Sequence, residues 1–197
     1  MIISLTYKVS SRTFLHSLRT SALMGEMADI YDLDRNKAMR VGLLHDSAKD
    51  LQSTELLSLA QEARIPIRHA CERLPTYLHG PVSAYLVRIE FGIKEHLILN
   101  AISTHTCHGE VPKPHAVFAW CLRIVDVLAP SRKIWLGMNK LRQVAYSGKI
   151  EEAALLLSGW LIKYFHRQGI PIHPNIKKNY QTLYTRLNVK DSFFERW

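Results

Sequence analysis

Apolar residues recur at intervals of three and four positions along almost the whole chain, and this spacing constrains the fold more than any other feature. It is the spacing of helices that bury one face, whereas a half-buried strand alternates apolar and polar residues. No segment alternates convincingly. Pro81 stands where a first helical turn tolerates proline, and Gly92 stands where a helix stops. The sequence therefore predicts an all-α fold.

About eight or nine helices are predicted, and no repeats, low-complexity tracts or linkers separate them. Their approximate spans are 11–31, 34–48, 53–64, 81–92, 94–104, 114–130, 134–146, 150–168 and 174–187. The chain has 197 residues, of which 47% are hydrophobic, and this is enough to bury a core. We predict one domain spanning residues 1–197.

Composition also bears on the compartment. No uncharged apolar run approaches the roughly 18 residues that a membrane helix needs. The start, MIISLTYKVS, lacks the apolar length and the small-residue cleavage site of a signal peptide. Three cysteines without a C-x-x-C spacing argue against a disulfide framework or a thiolate zinc site. These observations predict a cytoplasmic protein without a membrane partner.

The formal net charge of +9 is unevenly distributed. Residues 1–98 carry 12 Lys/Arg and 11 Asp/Glu, whereas residues 99–197 carry 14 and 6. A basic half favours anionic partners, either nucleic acid or a small polyphosphate. There are no Arg/Lys runs and no RRM or KH signature, so a nucleic-acid partner stays an alternative without a motif. The oligomeric state is left open, with a homodimer among the options.

The stretch GLLHDSAKDL places His45 directly before Asp46 at the end of an apolar run. A buried carboxylate without a partner costs several kcal/mol, so Asp46 should be paired or bound to a metal. The alternative is an aspartate that caps a helix or accepts a hydrogen bond from a backbone amide.

Four further polar residues stand alone on apolar segments: His16 in FLHSL, His79 in YLHGPV, His105 in AISTHT and Asp126 in CLRIVDVLAP. Each by itself is more often a hydrogen-bonded core residue than a ligand. Together, on helices that converge on one polar centre, they match the arrangement from which helical bundles build metal sites. The remaining histidines are interpreted as surface residues (His69, His96, His166, His173) or left open beside the site loop (His108, His115).

The order His, His-Asp, His, His, Asp resembles the HD superfamily of metal-dependent phosphohydrolases. More closely, it is similar to the bacterial HD-domain family of symmetrical bis(5′-nucleosyl)-tetraphosphatases, which split diadenosine tetraphosphate into two ADP. The resemblance runs from about Phe14 to Leu183. LLHDSAK, LHGPVSAYL, AISTHT and VDVLAPSR carry it, and HGPVSAYL is the most specific because general HD proteins lack it.

The resemblance implies two divalent metal ions, with iron expected and manganese or zinc as alternatives. Asp46 would bridge them, with His16, His45 and Asp126 on one metal and His79 and His105 on the other. A metal-bridged hydroxide would attack phosphorus, and Lys49 and Arg132 would neutralise phosphate oxygens. Asp46 and Lys49 would thus be the catalytic residues, and Lys49 and Arg132 the substrate-binding ones. For Lys49 the alternative is a solvated lysine at a helix end.

Three departures from the family pattern affect the substrate more than the metals. CHGEVPKP stands where the family has Gly-Arg-Pro-Gly, so the arginine expected beside the substrate is missing, and only Lys113 or His108 suggests a replacement. Ala129 replaces a glutamate and Ser47 a frequent tyrosine.

Three functions stay open: this hydrolase, an HD phosphohydrolase of another nucleotide or phosphoester, and a non-catalytic basic module that binds nucleotide or nucleic acid. The role of Cys107 beside His105 is also open.

Overall fold

The computed structural model describes residues 9–107, 115–130 and 137–189. All regular elements in these ranges are helical, which confirms the predicted all-α fold. The ten α-helices and one 3-10 helix are α1 (Ser11–Tyr31), α2 (Arg35–Leu44), α3 (Ser53–Glu62), α4 (His69–Arg73), the 3-10 helix Pro75–Leu78, α5 (His79–Glu90), α6 (His96–Thr104), α7 (His115–Leu128), α8 (Met138–Tyr146), α9 (Ile150–Arg167) and α10 (Pro174–Arg186). The two elements absent from the sequence prediction, α4 and the 3-10 helix, are too short to show apolar periodicity.

Helix α2 ends at Leu44, four residues before the predicted end at Ala48. The hydroxyl of Ser47 donates to the carbonyl oxygen of Leu44 at 2.7 Å, and the amide of Ala48 donates to the Ser83 hydroxyl at 2.9 Å. These side chains compete with the helical hydrogen bonds, and the backbone continues as turns. As a result His45 and Asp46 project from a turn rather than from a helix.

Two glycines permit the close helix contacts on which the polar centre depends. A Cβ atom at Gly42 of α2 would stand 2.6 Å from the Cα of Ser21 in α1, nearer than side-chain carbons ever approach backbone. A Cβ atom at Gly80 of α5 would stand 2.9 Å from Oγ1 of Thr106, just beyond α6. Gly42 thus lets α1 lie against α2, and Gly80 lets the start of α5 lie against the end of α6.

Apolar side chains form two clusters. The larger joins α1, α2, α6, α7 and α9, and the smaller lies among α3, α4, the 3-10 helix and α5. The His-Asp pair lies where the chain passes from Leu44 in the larger cluster to Ala48 in the smaller one. Within the described ranges, no helix combines the length and apolar character needed to cross a bilayer.

Candidate metal centre and adjoining cavity

Three buried histidines are held in one orientation by the backbone three residues before them. The Nδ1 atoms of His45, His79 and His105 lie 2.9, 2.5 and 2.7 Å from the carbonyl oxygens of Gly42, Thr76 and Ile102. A carbonyl oxygen can only accept, so each Nδ1 carries the proton and each Nε2 presents a lone pair. This is the arrangement in which proteins present imidazole to metals.

The Nε2 atoms of His79 and His105 converge on one carboxylate. They lie 3.0 Å from each other and 3.1 and 3.4 Å, respectively, from Oδ1 of Asp46. Because none of these three atoms carries a proton in that tautomer, lone pair faces lone pair.

The other carboxylate oxygen of Asp46 faces a second group. Its Oδ2 lies 3.4 Å from Nε2 of His45 and 3.6 Å from Nε2 of His16. Oδ1 of Asp126 completes the group, 2.9 Å from Nε2 of His16 and 3.7 Å from Nε2 of His45. We call all six side chains the ligand cluster: His16, His45, Asp46, His79, His105 and Asp126. They form two groups that share Asp46, and within each group the potential ligand atoms lie within 4.8 Å of one another.

Burial and neighbouring charges determine the protonation of the cluster. Burial lowers the pKa of His105 to about 3, and burial together with Lys49 lowers the pKa of His79. Burial acts against the ionised form of Asp46, but His45, His105, His79 and Lys49 together outweigh it and hold the pKa of Asp46 well below its usual value. Burial likewise acts against charge on His45, but Asp46, Asp126 and the carbonyl of Gly42 together outweigh it and raise the pKa of His45. His79 and His105 are therefore neutral imidazoles beside an ionised Asp46.

A divalent metal fits this set of donors. Nε2 of His45 and Oδ1 of Asp46 are buried and have no hydrogen-bond partner. Unsatisfied buried acceptors are costly, and lone pairs that face one another at about 3 Å repel unless a cation lies between them. Imidazole and carboxylate ligands suit iron, manganese or zinc, whereas calcium and magnesium require more oxygen ligands. The cluster is able to hold metal.

A cavity of about 700 Å³ opens beside the cluster. His79 and Asp126 reach it from the cluster, and Lys49 stands next to them with Nζ 3.2 Å from Nε2 of His79. The lining also includes four aromatic residues that we call the aromatic wall: Tyr77, Trp160, Tyr164 and Phe165. The cavity is therefore lined both by charged groups and by flat aromatic side chains.

The structure brings together all six predicted ligands, and Lys49 lies beside them as expected from its position one turn after Asp46. His69, His96 and His166 are exposed as predicted, and His115 is half-buried at the start of α7.

The surface interpretation of His173 is wrong, because this residue is buried, caps α10 by accepting a hydrogen bond from the amide of Asn175, and packs on Tyr77. Cys107 is a thiol whose pKa is raised to about 12 by burial. His108, Lys113 and Arg132 lie outside the described residues.

Sequence reasoning missed Arg123 and the aromatic wall. Arg123 lines the cavity with its side chain 13% exposed, and its Nη1 lies 3.5 Å from Oδ2 of Asp126. A signal for it was present, since Arg123 is the only lysine or arginine in the apolar helix α7, three residues before Asp126. Nothing in the sequence groups Tyr77 with Trp160, which lies more than 80 positions further along.

Comparison with known proteins places this geometry in a family. Residues 13–131, which include the whole ligand cluster, match the HD domain. The chain belongs to the HD domain family. This HD protein therefore combines a shared hydrolase fold with a histidine–aspartate cluster able to hold metal.

Two relatives and one solved structure are similar to this chain, and their names describe hydrolases. A Mycoplasma genitalium protein described as a probable nicotinate-nucleotide adenylyltransferase/Ap4A hydrolase is 32% identical over 76% of this chain, which spans only 41% of that protein. A Staphylococcus aureus symmetrical bis(5′-nucleosyl)-tetraphosphatase is 26% identical over 84% of each chain. A Clostridium acetobutylicum crystal structure, described as a predicted HD superfamily hydrolase involved in NAD metabolism, superposes with a TM-score of 0.85 at 25% identity. The superposition covers 94% of this chain and 95% of the Clostridium chain.

Proposed function

We propose that this HD protein hydrolyses dinucleoside polyphosphates, and that it cleaves diadenosine tetraphosphate symmetrically to two ADP. The observation that carries the proposal is the cavity, which joins the ligand cluster and Lys49 to the aromatic wall. A nucleotide has two matching parts, a polyphosphate for the charged groups and a base for the aromatic side chains. The names of the Mycoplasma and Staphylococcus relatives support the same substrate.

We assign the six cluster residues as ligands of two metal ions, with Asp46 shared between them. Iron is the metal we propose, with manganese or zinc as alternatives, because the ligand set suits any of the three. When bound, the metals would activate a water molecule and neutralise phosphate charge. The carbonyl oxygens of Gly42, Thr76 and Ile102 keep His45, His79 and His105 in the tautomer that this requires.

In the reaction, the oxygen of water bonds to one of the two central phosphorus atoms and the central P–O bridge breaks. One ADP carries the new oxygen, the other leaves with the bridging oxygen, and a proton passes to solvent. Lys49 would donate to phosphate oxygens as negative charge develops on them, and the distance of 3.2 Å between its Nζ and Nε2 of His79 supports this role. Arg132 is proposed in the same role on the basis of the family resemblance alone.

We further propose that residues 1–197 form one domain of this type. Support comes from α9, which lies outside residues 13–131 yet packs on α7 and supplies three residues of the aromatic wall. The cytoplasmic location stays a prediction.

Product analysis tests the reaction. Protein purified without oxygen is assayed for metal and incubated with diadenosine tetraphosphate, and ADP is expected as the only nucleotide product. In water enriched in ¹⁸O, half of the ADP should carry one labelled oxygen. ATP with AMP would contradict symmetrical cleavage. No turnover with iron, manganese or zinc would contradict the substrate and favour another nucleotide.

A further inference from the structure

The carboxylate of Asp50 joins the turn that follows the His-Asp pair to the start of α1. Its Oδ2 accepts a hydrogen bond from the amide of Ser10 at 2.8 Å, and its Oδ1 accepts one from the hydroxyl of Thr13 at 2.9 Å. Asp50 is the residue directly after Lys49, and α1 supplies His16 to the ligand cluster. One carboxylate outside the cluster therefore links two segments of the chain that meet at the cluster.

Burial differs between the two ends of this turn. Residues 41–48 are all buried, and the amide of Ala48 is also held by the Ser83 hydroxyl at 2.9 Å. Lys49 is half-buried and Asp50 is exposed, so packing constrains this end of the turn less. The two hydrogen bonds that Asp50 accepts attach the same end to α1. Their loss should therefore displace Lys49 more than the buried ligands that precede it.

We propose that Asp50 is a positioning residue for Lys49. The inference rests on the proposed function, in which Lys49 donates to phosphate oxygens during the reaction. A catalytic group that is displaced by 1 Å can lose about a hundred-fold in rate, so a tether on the residue next to Lys49 can affect the rate strongly. Asp50 itself contacts neither the ligand cluster nor the cavity lining among the described residues, and its effect would pass through Lys49.

A double-mutant cycle tests whether Asp50 acts through Lys49. Asp50→Ala and Lys49→Met are made singly and together in the full chain, and kcat and KM for diadenosine tetraphosphate are measured with the metal-loaded proteins. We expect Asp50→Ala alone to lower kcat by about ten-fold and to leave KM unchanged, as for a partly misplaced catalytic group. In the Lys49→Met background, Asp50→Ala should lower kcat no further, because the amino group that it positions is absent.

Two further variants separate positioning from charge and from stability. Asp50→Asn should restore kcat to nearly the parent value, because its oxygen can accept from the Ser10 amide and its NH₂ group can donate to the Thr13 hydroxyl. Asp34→Ala is the matched control, since Asp34 is an exposed aspartate that accepts a hydrogen bond from the amide of Lys37 at the start of α2. It should lower the unfolding midpoint about as much as Asp50→Ala does, with kcat unchanged.

Unchanged kcat in Asp50→Ala overturns the proposal, and so does an equal fold-loss of kcat in the parent and Lys49→Met backgrounds. A loss in Asp50→Asn as large as in Asp50→Ala overturns it as well, because charge would then be the cause. So does a loss of metal from Asp50→Ala that accounts for the whole fall in kcat, because Asp50 would then hold the ligands instead.

If the parent protein does not cleave diadenosine tetraphosphate, the proposed function fails, and the same cycle is measured on the affinity of the metal-loaded proteins for ADP. An effect of Asp50→Ala on ADP affinity that vanishes in the Lys49→Met background then supports the inference for another nucleotide. The absence of such an effect overturns it.

Discussion

The ligand cluster and the aromatic wall both contribute to one cavity, and they differ in their place in the sequence and in the substitutions that they should tolerate. All six cluster residues lie within residues 13–131, which match the HD domain, whereas three of the four wall residues belong to α9, beyond that range. The cluster is buried throughout, but Tyr164 of the wall is 54% exposed. Metal ligation demands particular atoms at particular distances, while base stacking demands only a flat apolar surface. Substitutions should therefore abolish function in the cluster and only reduce it in the wall.

Asp46→Asn should have the largest effect, because Asp46 belongs to both ligand groups. The amide keeps the shape but removes the charge that the two groups share. We expect metal content to fall and kcat for diadenosine tetraphosphate to drop by about a thousand-fold or more. Elemental analysis and the product assay measure the two effects. Asp29→Asn, which alters an exposed pair with Arg35, is the control. Full metal content with unchanged kcat would remove the distinction between the cluster and the wall.

Lys49→Met tests the boundary between the two regions. The thioether side chain keeps most of the length of lysine but cannot stabilise charge on phosphate. We expect kcat to fall by about a hundred-fold while metal content is retained. Lys94→Met, at an exposed position, should leave kcat unchanged. If Lys49→Met changed neither kcat nor KM, Lys49 would be the solvated lysine that its sequence context also allows.

The same contrast explains how much the sequence could predict. Four cluster residues are lone polar groups on apolar segments, His45 and Asp46 form a pair at the end of one, and these local signals together with the family resemblance identified all six. The end of α2 depends on Ser83, 35 positions from Ala48, and no local pattern contains such a contact. The wall is assembled in the same way from Tyr77 and α9. His173 was misinterpreted because its burial against Tyr77 arises only when α10 packs. Local periodicity predicts the helices, whereas the wall forms only when segments distant in the sequence come together.

Gly42→Ala should disturb the scaffold of the cluster without touching a ligand. The added methyl group would meet the backbone of Ser21, which cannot move aside as a flexible side chain would. We expect the free energy of unfolding to fall by about 1–3 kcal/mol, the usual cost of overpacking, and metal affinity to fall with it.

Gly25→Ala is a matched control for this substitution. Gly25 also lies in the α1–α2 contact, but the nearest atoms to a Cβ atom there would be the end of the Arg35 side chain and the Cγ of Met39, at 3.3 Å or more. Alanine favours a helix interior over glycine by up to about 1 kcal/mol, so this variant should unfold no more easily than the parent protein. Equal unfolding midpoints for the two variants would show that the close approach at Gly42 is not needed.

Trp160→Ala should give a graded effect, as expected for the wall. Stacking of a base on an aromatic side chain contributes about 1–3 kcal/mol, so KM should rise by about ten-fold or more while kcat changes little. Trp160→Phe should recover part of the loss. Phe91→Ala, a half-buried aromatic residue that does not line the cavity, serves as the control for general destabilisation. A fall in kcat with unchanged KM would mean that this residue acts on the reacting phosphate instead.

Tyr77→Phe should have the smallest effect, and it tests whether the wall is only a surface. The hydroxyl of Tyr77 donates to the carbonyl oxygen of Pro171 at 2.7 Å, and burial raises the pKa of Tyr77 to about 12. A raised pKa keeps the phenol protonated as pH increases, so Tyr77 should exchange no proton between pH 5 and 10. Removing one hydrogen bond should lower the free energy of unfolding by about 1 kcal/mol and leave the pH profile of kcat unchanged in that range. A loss of about a hundred-fold in kcat together with a shifted alkaline limb would assign Tyr77 to proton transfer. The catalytic chemistry would then extend from the cluster into the wall.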